Sequence, residues 1–145
     1  MTNGFLGFDH LDVRVPSLAA VEAFYDLLMP ALGLTEKTFS FVDAAGDWHD
    51  ATPEGAYNTV EFSERPRPED RGRFIGFIED RDMRVVRTRI AFLVATRDDV
   101  LAFERRLHEF GAREIEREAN FAAYPAVFFS DPGGTRLEII ARRGG

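Results

Sequence analysis

The sequence predicts an α+β fold made of two tandem βαβββ modules, and three observations predict it. First, Ala56-Tyr57-Asn58-Thr59-Val60-Glu61-Phe62-Ser63-Glu64 returns 67 residues later as Ala123-Tyr124-Pro125-Ala126-Val127-Phe128-Phe129-Ser130-Asp131, with five identities and an acidic residue closing each copy. Second, the match extends upstream at an offset of 79, where Val15, Val21, Ala23, Phe24 and Leu28 meet Val94, Val100, Ala102, Phe103 and Leu107. Third, each copy runs from an alternating strand pattern into an amphipathic helix and then into three more strand-like stretches. The 145 residues read as one domain of two repeats, 5–80 and 86–143.

In the first module, Phe8 to Val15 alternates, with Leu11, Val13 and Val15 on one face and His10, Asp12 and Arg14 on the other. Pro16-Ser17 ends that strand, and Ser17 is placed to cap a helix whose apolar stripe is Leu18, Val21, Phe24, Tyr25 and Leu28, with Gly33 just beyond its end. Strands are expected at 38–42, 57–63 and 74–78. Between the last two, Glu64 to Arg73 is too polar and too Pro-broken for a strand and reads as an exposed, mobile loop. The second module opens with a strand over 88–94. Thr96-Arg97-Asp98-Asp99 then has the spacing of a capping box, ahead of Val100, Phe103, Leu107 and Phe110 with Gly111 at the end. Strands follow near 113–118, 124–130 and 136–141, the last two joined by the turn Asp131-Pro132-Gly133-Gly134.

Composition narrows the chemistry. Eighteen basic against 25 acidic residues give a net charge of -7, which argues against nucleic acid as a partner. With no cysteine, any metal must be held by His, Asp or Glu. No apolar run approaches the roughly 20 residues that cross a bilayer, and the first residues lack the pattern of a secretion signal, so a cytoplasmic protein without a membrane partner is expected.

A strand with an outward His, a helix containing Phe-Tyr, a second copy of the unit and a closing Asp-Pro-Gly-Gly-Thr-Arg-Leu-Glu together resemble the vicinal oxygen chelate superfamily, which contains glyoxalase I, extradiol dioxygenases, fosfomycin-resistance enzymes and bleomycin-resistance proteins. The likeness runs from Phe8 to Arg142, and 131–138 is its most specific part. It implies that each module curls into a half-barrel, that a small-molecule ligand sits in a cleft between the halves, and that the working form is a homodimer. It also implies, for metal-dependent members, one ligand early in the first strand and one in the last strand of each module. Carried over by position, His10 and Glu138 match. The other two positions fall on Arg89, which cannot coordinate a cation, and on Gly76, which has no side chain. A rival register makes Val60-Glu61-Phe62 the last strand of the first module and restores Glu61 as a third ligand; the repeat favours the first register because it pairs Glu61 with Phe128.

Strand alternation adds an argument independent of the family. If Leu11, Val13, Ile90, Phe92, Leu137 and Ile139 pack under the helices, then His10, Asp12, Arg14, Arg89, Arg136 and Glu138 project from the opposite face. The expected arrangement sets Arg89 in the place of a metal's charge, paired with Glu138, beside His10. Asp12, Trp48, Phe74, Tyr124 and Arg136 are the expected ligand contacts, with Phe74 as apolar floor. Three functions fit. One is binding of a small, partly apolar molecule without a complete metal site. The second is a glyoxalase-like lyase or dioxygenase using His10, Glu138, a further donor, Glu61 or His49, and water around one divalent ion (Zn, Ni, Mn or Fe). The third is metal-free acid–base chemistry in which His10 moves a proton and Arg89 stabilises a developing enolate.

Overall fold

The computed structural model describes residues 4–69 and 72–142. Its elements in chain order are β1 (His10–Val15), α1 (Leu18–Ala31), β2 (Glu36–Val42), β3 (Trp48–Asp50), β4 (Thr59–Ser63), β5 (Phe74–Glu79), β6 (Arg89–Leu93), α2 (Arg97–Phe110), β7 (Arg113–Arg117), β8 (Ala126–Ser130) and β9 (Arg136–Ile140). Every strand and helix expected from the sequence is present. The addition is β3, a three-residue strand pairing antiparallel with β2 through Ser40↔Asp50, Phe41↔His49 and Val42↔Trp48. The Asp43 side chain builds the turn between them, Oδ1 accepting from the backbone N–H groups of Ala45 at 2.9 Å and Asp47 at 3.0 Å, while Gly46 takes a φ of 89°.

The chain forms two compact units. The first holds residues 1–18 and 29–81, the second 19–28 and 82–145. In the first, the sheet order is β1-β5-β4-β2-β3; in the second it is β6-β9-β8-β7. The opening strand runs parallel to the closing strand in both, with His10 opposite Phe74 and Arg89 opposite Arg136. Two residues on, Gly76 and Glu138 hold equivalent places, so the register that equates them is the one adopted. β4 and β8 are likewise equivalent, since Glu61 lies opposite Gly76 and Phe128 opposite Glu138.

Each sheet buries one face. Val60, Phe62, Ile75 and Phe77 are inside in the first unit, and Val127, Phe129, Leu137 and Ile139 in the second. Helix α2 covers its own sheet with Val100, Phe103 and Leu107; fully burying side chains of this kind stabilises by about 1.5–3 kcal/mol each. The capping box is complete, Thr96 accepting from the Asp99 N–H and Asp99 accepting from the Thr96 N–H, and Gly111 closes the helix at a φ of 93°.

Helix α1 departs from the module boundaries read in the repeat. Ala19–Leu28 belongs to the second compact unit although it lies inside the first repeat. The physical reason is the buried Tyr25, whose hydroxyl donates to Asp131 Oδ2 at 2.6 Å, while Phe24 packs 6.4 Å from Phe129 between ring centres. Asp131 itself is fully buried, and its other oxygen accepts from the N–H groups of Gly133 at 2.7 Å and Thr135 at 3.0 Å. The Asp-Pro-Gly-Gly turn is therefore an anchor for a helix as well as a chain reversal.

The polar loop after β4 is closed at its neck, where Arg73 bonds the Glu64 carboxylate through both its backbone N–H and its guanidinium, at 3.0 and 2.8 Å. Gly72 sits at a φ of 81°, and a Cβ there would lie 2.9 Å from the Glu64 Cβ, so only glycine fits. Asp70 and Arg71 of this loop lie outside the described residues. Among the described residues no helix is long and apolar enough to cross a membrane.

Candidate functional site

Alternation on β1, β5, β4 and β2 brings His10, Asp12, Phe74, Gly76, Glu61 and Thr38 to one open sheet face of the first unit. The His10 ring stacks on Phe74 at 4.4 Å and 2°, its Nδ1 lies 2.7 Å from an Asp9 carboxylate oxygen, and its Nε2 lies 3.8 Å from Asp12. The hydrogen bond to Asp9, helped by the charges of Asp12, Asp9 and Glu61, raises the His10 pKa above its ordinary value against a smaller opposing effect of burial.

Asp12, Gly76 and Glu61 lie side by side in one row across three strands. A Cβ on Gly76 would stand 3.3 Å from Glu61 Cγ and 3.4 Å from Asp12 Oδ1, so the bare backbone is what lets the two carboxylates lean in from either side. Burial first, then the neighbouring Asp12 charge, raises the Glu61 pKa. Ser40 is a distant partner at 3.5 Å. A cavity of about 230 Å³ opens here, with Asp9, Glu61, Ser63 and Phe74 among its walls.

The second unit presents two rows on its open face. One is Arg89, Arg136 and Ser130; the next is Ala91, Glu138, Phe128 and Glu116. Arg89, Arg136, Phe128, Ser130 and Glu116 from these rows, with Glu114 and Ile115, line a cavity of about 490 Å³. The Arg89 guanidinium lies over the Phe128 ring, 4.5 Å from its centre. Glu138, though buried, accepts from the Tyr124 hydroxyl at 3.0 Å. Burial and that bond raise the Tyr124 pKa.

The ion pair expected between Arg89 and Glu138 is not formed: among the described residues Glu138 takes Tyr124 as its side-chain partner and Arg89 takes Phe128. The reason is register. Arg89 stands opposite Arg136, while Glu138 stands opposite Ala91, so the two share a face but meet only on a diagonal. Trp48 is half-exposed on β3, at the edge of the sheet farthest from β1, and is not brought to His10. Phe74 lies under the His10 ring, Asp12 is 3.8 Å from its Nε2, Tyr124 donates to Glu138, and Arg136 stands opposite Arg89. Sequence reading missed Asp9, whose only signal is adjacency to His10, and Ser130, Glu114 and Glu116, which come to one cavity only through the β7–β8 pairing.

The donor set does not suit the divalent ion of metal-dependent relatives. The four equivalent positions hold His10, Gly76, Arg89 and Glu138; a guanidinium keeps its proton and cannot ligate, and glycine offers no donor. Among the described residues no three His, Asp or Glu side chains converge so as to hold a metal ion.

The model of the Glyoxalase/Bleomycin resistance protein/Dioxygenase superfamily matches residues 7–139. No curated protein matches the sequence. Among solved structures, a glyoxalase/bleomycin resistance protein from Albidiferax ferrireducens T118 is similar with a TM-score of 0.62 at 18% identity, covering 94% of this chain and 98% of its own. A possible glyoxalase from Bacillus cereus gives 0.59 at 17% identity, covering 94% and 99%. A variant of the fosfomycin resistance protein FosX from Listeria monocytogenes, in complex with Mn(II) and 1S,2S-dihydroxypropylphosphonic acid, gives 0.62 at 17% identity, covering 94% and 93%. At such identities these likenesses speak to the fold alone.

Proposed function

We propose that this chain, which belongs to the Glyoxalase/Bleomycin resistance protein/Dioxygenase superfamily, holds a small, partly apolar molecule on its open sheet faces without a complete metal site. The observation that carries the reading is Arg89: where the repeat puts His10 in the first module, the second has a permanent cation laid on Phe128. A fixed positive charge there opposes a divalent ion and favours a ligand with an anionic or polar group. Phe128 and Phe74 supply apolar area on the two faces, in keeping with the mixed character of small-molecule sites.

A metal-dependent lyase or dioxygenase is the competing reading. In its favour, Glu61 occupies the space above Gly76 and faces Asp12, so a carboxylate lost from β5 is partly replaced from β4. A thermal-shift screen of aromatic and aliphatic small molecules, run in EDTA and again with added Mn(II) or Zn(II), separates the two. Binding without metal predicts that stabilising compounds act equally well in EDTA. Stabilisation that appears only with an added ion would contradict it.

A further inference from the structure

We infer that the cavity on the second unit's open face takes an organic acid, its carboxylate held between Arg89 and Arg136 and its apolar body laid along Phe128 and Ile115; this rests on the binding reading above and names the ligand class. The parallel pairing of β6 with β9 sets Arg89 directly opposite Arg136. Two like charges on neighbouring strands repel, and among the described residues neither guanidinium makes a hydrogen bond or an ion pair. A shared anion relieves that repulsion. The Arg89 guanidinium lies 4.5 Å over the Phe128 ring, and its N–H groups, which make no hydrogen bond among the described residues, are left to meet a carboxylate's two oxygens.

The carboxylates of the same cavity make no ion pair with either arginine among the described residues. Glu114, held at a φ of 53°, accepts from the Ser130 hydroxyl at 3.0 Å. Glu116 stands in the next row, beyond Phe128. Their presence nonetheless limits the ligand's charge: a dianion such as a phosphate ester meets the two arginines at the expense of repulsion from Glu114 and Glu116, whereas a monoanionic carboxylate does not carry the second charge. The volume of about 490 Å³ leaves room for a ring-sized body beside the acid.

The test uses 3-phenylpropionate, its neutral amide 3-phenylpropanamide, and phenyl phosphate, titrated into the full chain by NMR or calorimetry at low salt. The acid should bind about tenfold or more tightly than the amide, and phenyl phosphate should be weaker than the acid. Arg136→Gln and Arg89→Gln, each checked for an unchanged melting temperature, should each erase the preference for acid over amide, and Glu116→Gln should tighten the acid. Equal binding of acid and amide to the wild type would overturn the inference while leaving small-molecule binding intact. Tighter binding of phenyl phosphate, acid preference surviving both arginine variants, or no binding of the acid at all would overturn it as well.

Discussion

In Glu61 burial and charge are opposed. Its raised pKa means that the folded state prefers the neutral acid, so the stability this preference contributes is present below the unfolded carboxyl's pKa and is lost as pH rises through the folded value. Glu61→Gln keeps the shape and removes the charge. It should raise the melting temperature at pH 7 by about 1–2 °C, and the difference from wild type should vanish below about pH 4, where the parent carboxyl is protonated. A melting series from pH 3.5 to 8 checks both the sign and the window. At this scale the sequence made faces legible and partners illegible. Alternation placed His10, Asp12, Arg89 and Glu138 on open faces, yet it does not say who stands opposite whom. That requires strand register, and register turned the expected Arg89–Glu138 pair into Arg89 on Phe128 and Glu138 on Tyr124.

The elements depend on a few local devices. Helix α2 was legible from end to end because its signals are local: a capping box before it, an apolar stripe within it and a glycine after it. The hairpin that adds β3 was missed because its strand is only three residues long and its turn is made by one aspartate side chain. The allegiance of α1 was missed for a different reason. Its stripe announces a buried face, but its partner is chosen by a hydroxyl-to-carboxylate bond between residues 106 apart in sequence. That bond defines a test. Tyr25→Phe removes the donor and leaves one oxygen of the buried Asp131 without it, a change that costs about 1–3 kcal/mol. Chemical denaturation should show that loss, and hydrogen exchange should show faster opening in Ala19–Leu28 and in the 131–135 turn than in β2 or β4. Uniform loosening of both units, or no loss of stability, would contradict the anchoring role.

The whole molecule shows how a duplicated module can diverge while its backbone pattern holds. Both copies keep the parallel pairing of first and last strand and the same row-by-row correspondence, which is why the repeat predicted the fold class. What changed is the chemistry in equivalent places: His10 against Arg89, Gly76 against Glu138, Glu61 against Phe128. The first copy carries a histidine among carboxylates, the second a pair of facing arginines, one of them over an aromatic ring. The central claim, that this member of its superfamily binds its ligand without a complete metal site, is tested most directly by the metal content of the full chain purified without chelator, read with its thermal response to Mn, Fe, Co, Ni and Zn. Far less than one ion per chain and no stabilisation by any of them are expected; about one ion per chain, with a stabilisation that disappears in His10→Ala, would show that a metal site is complete after all.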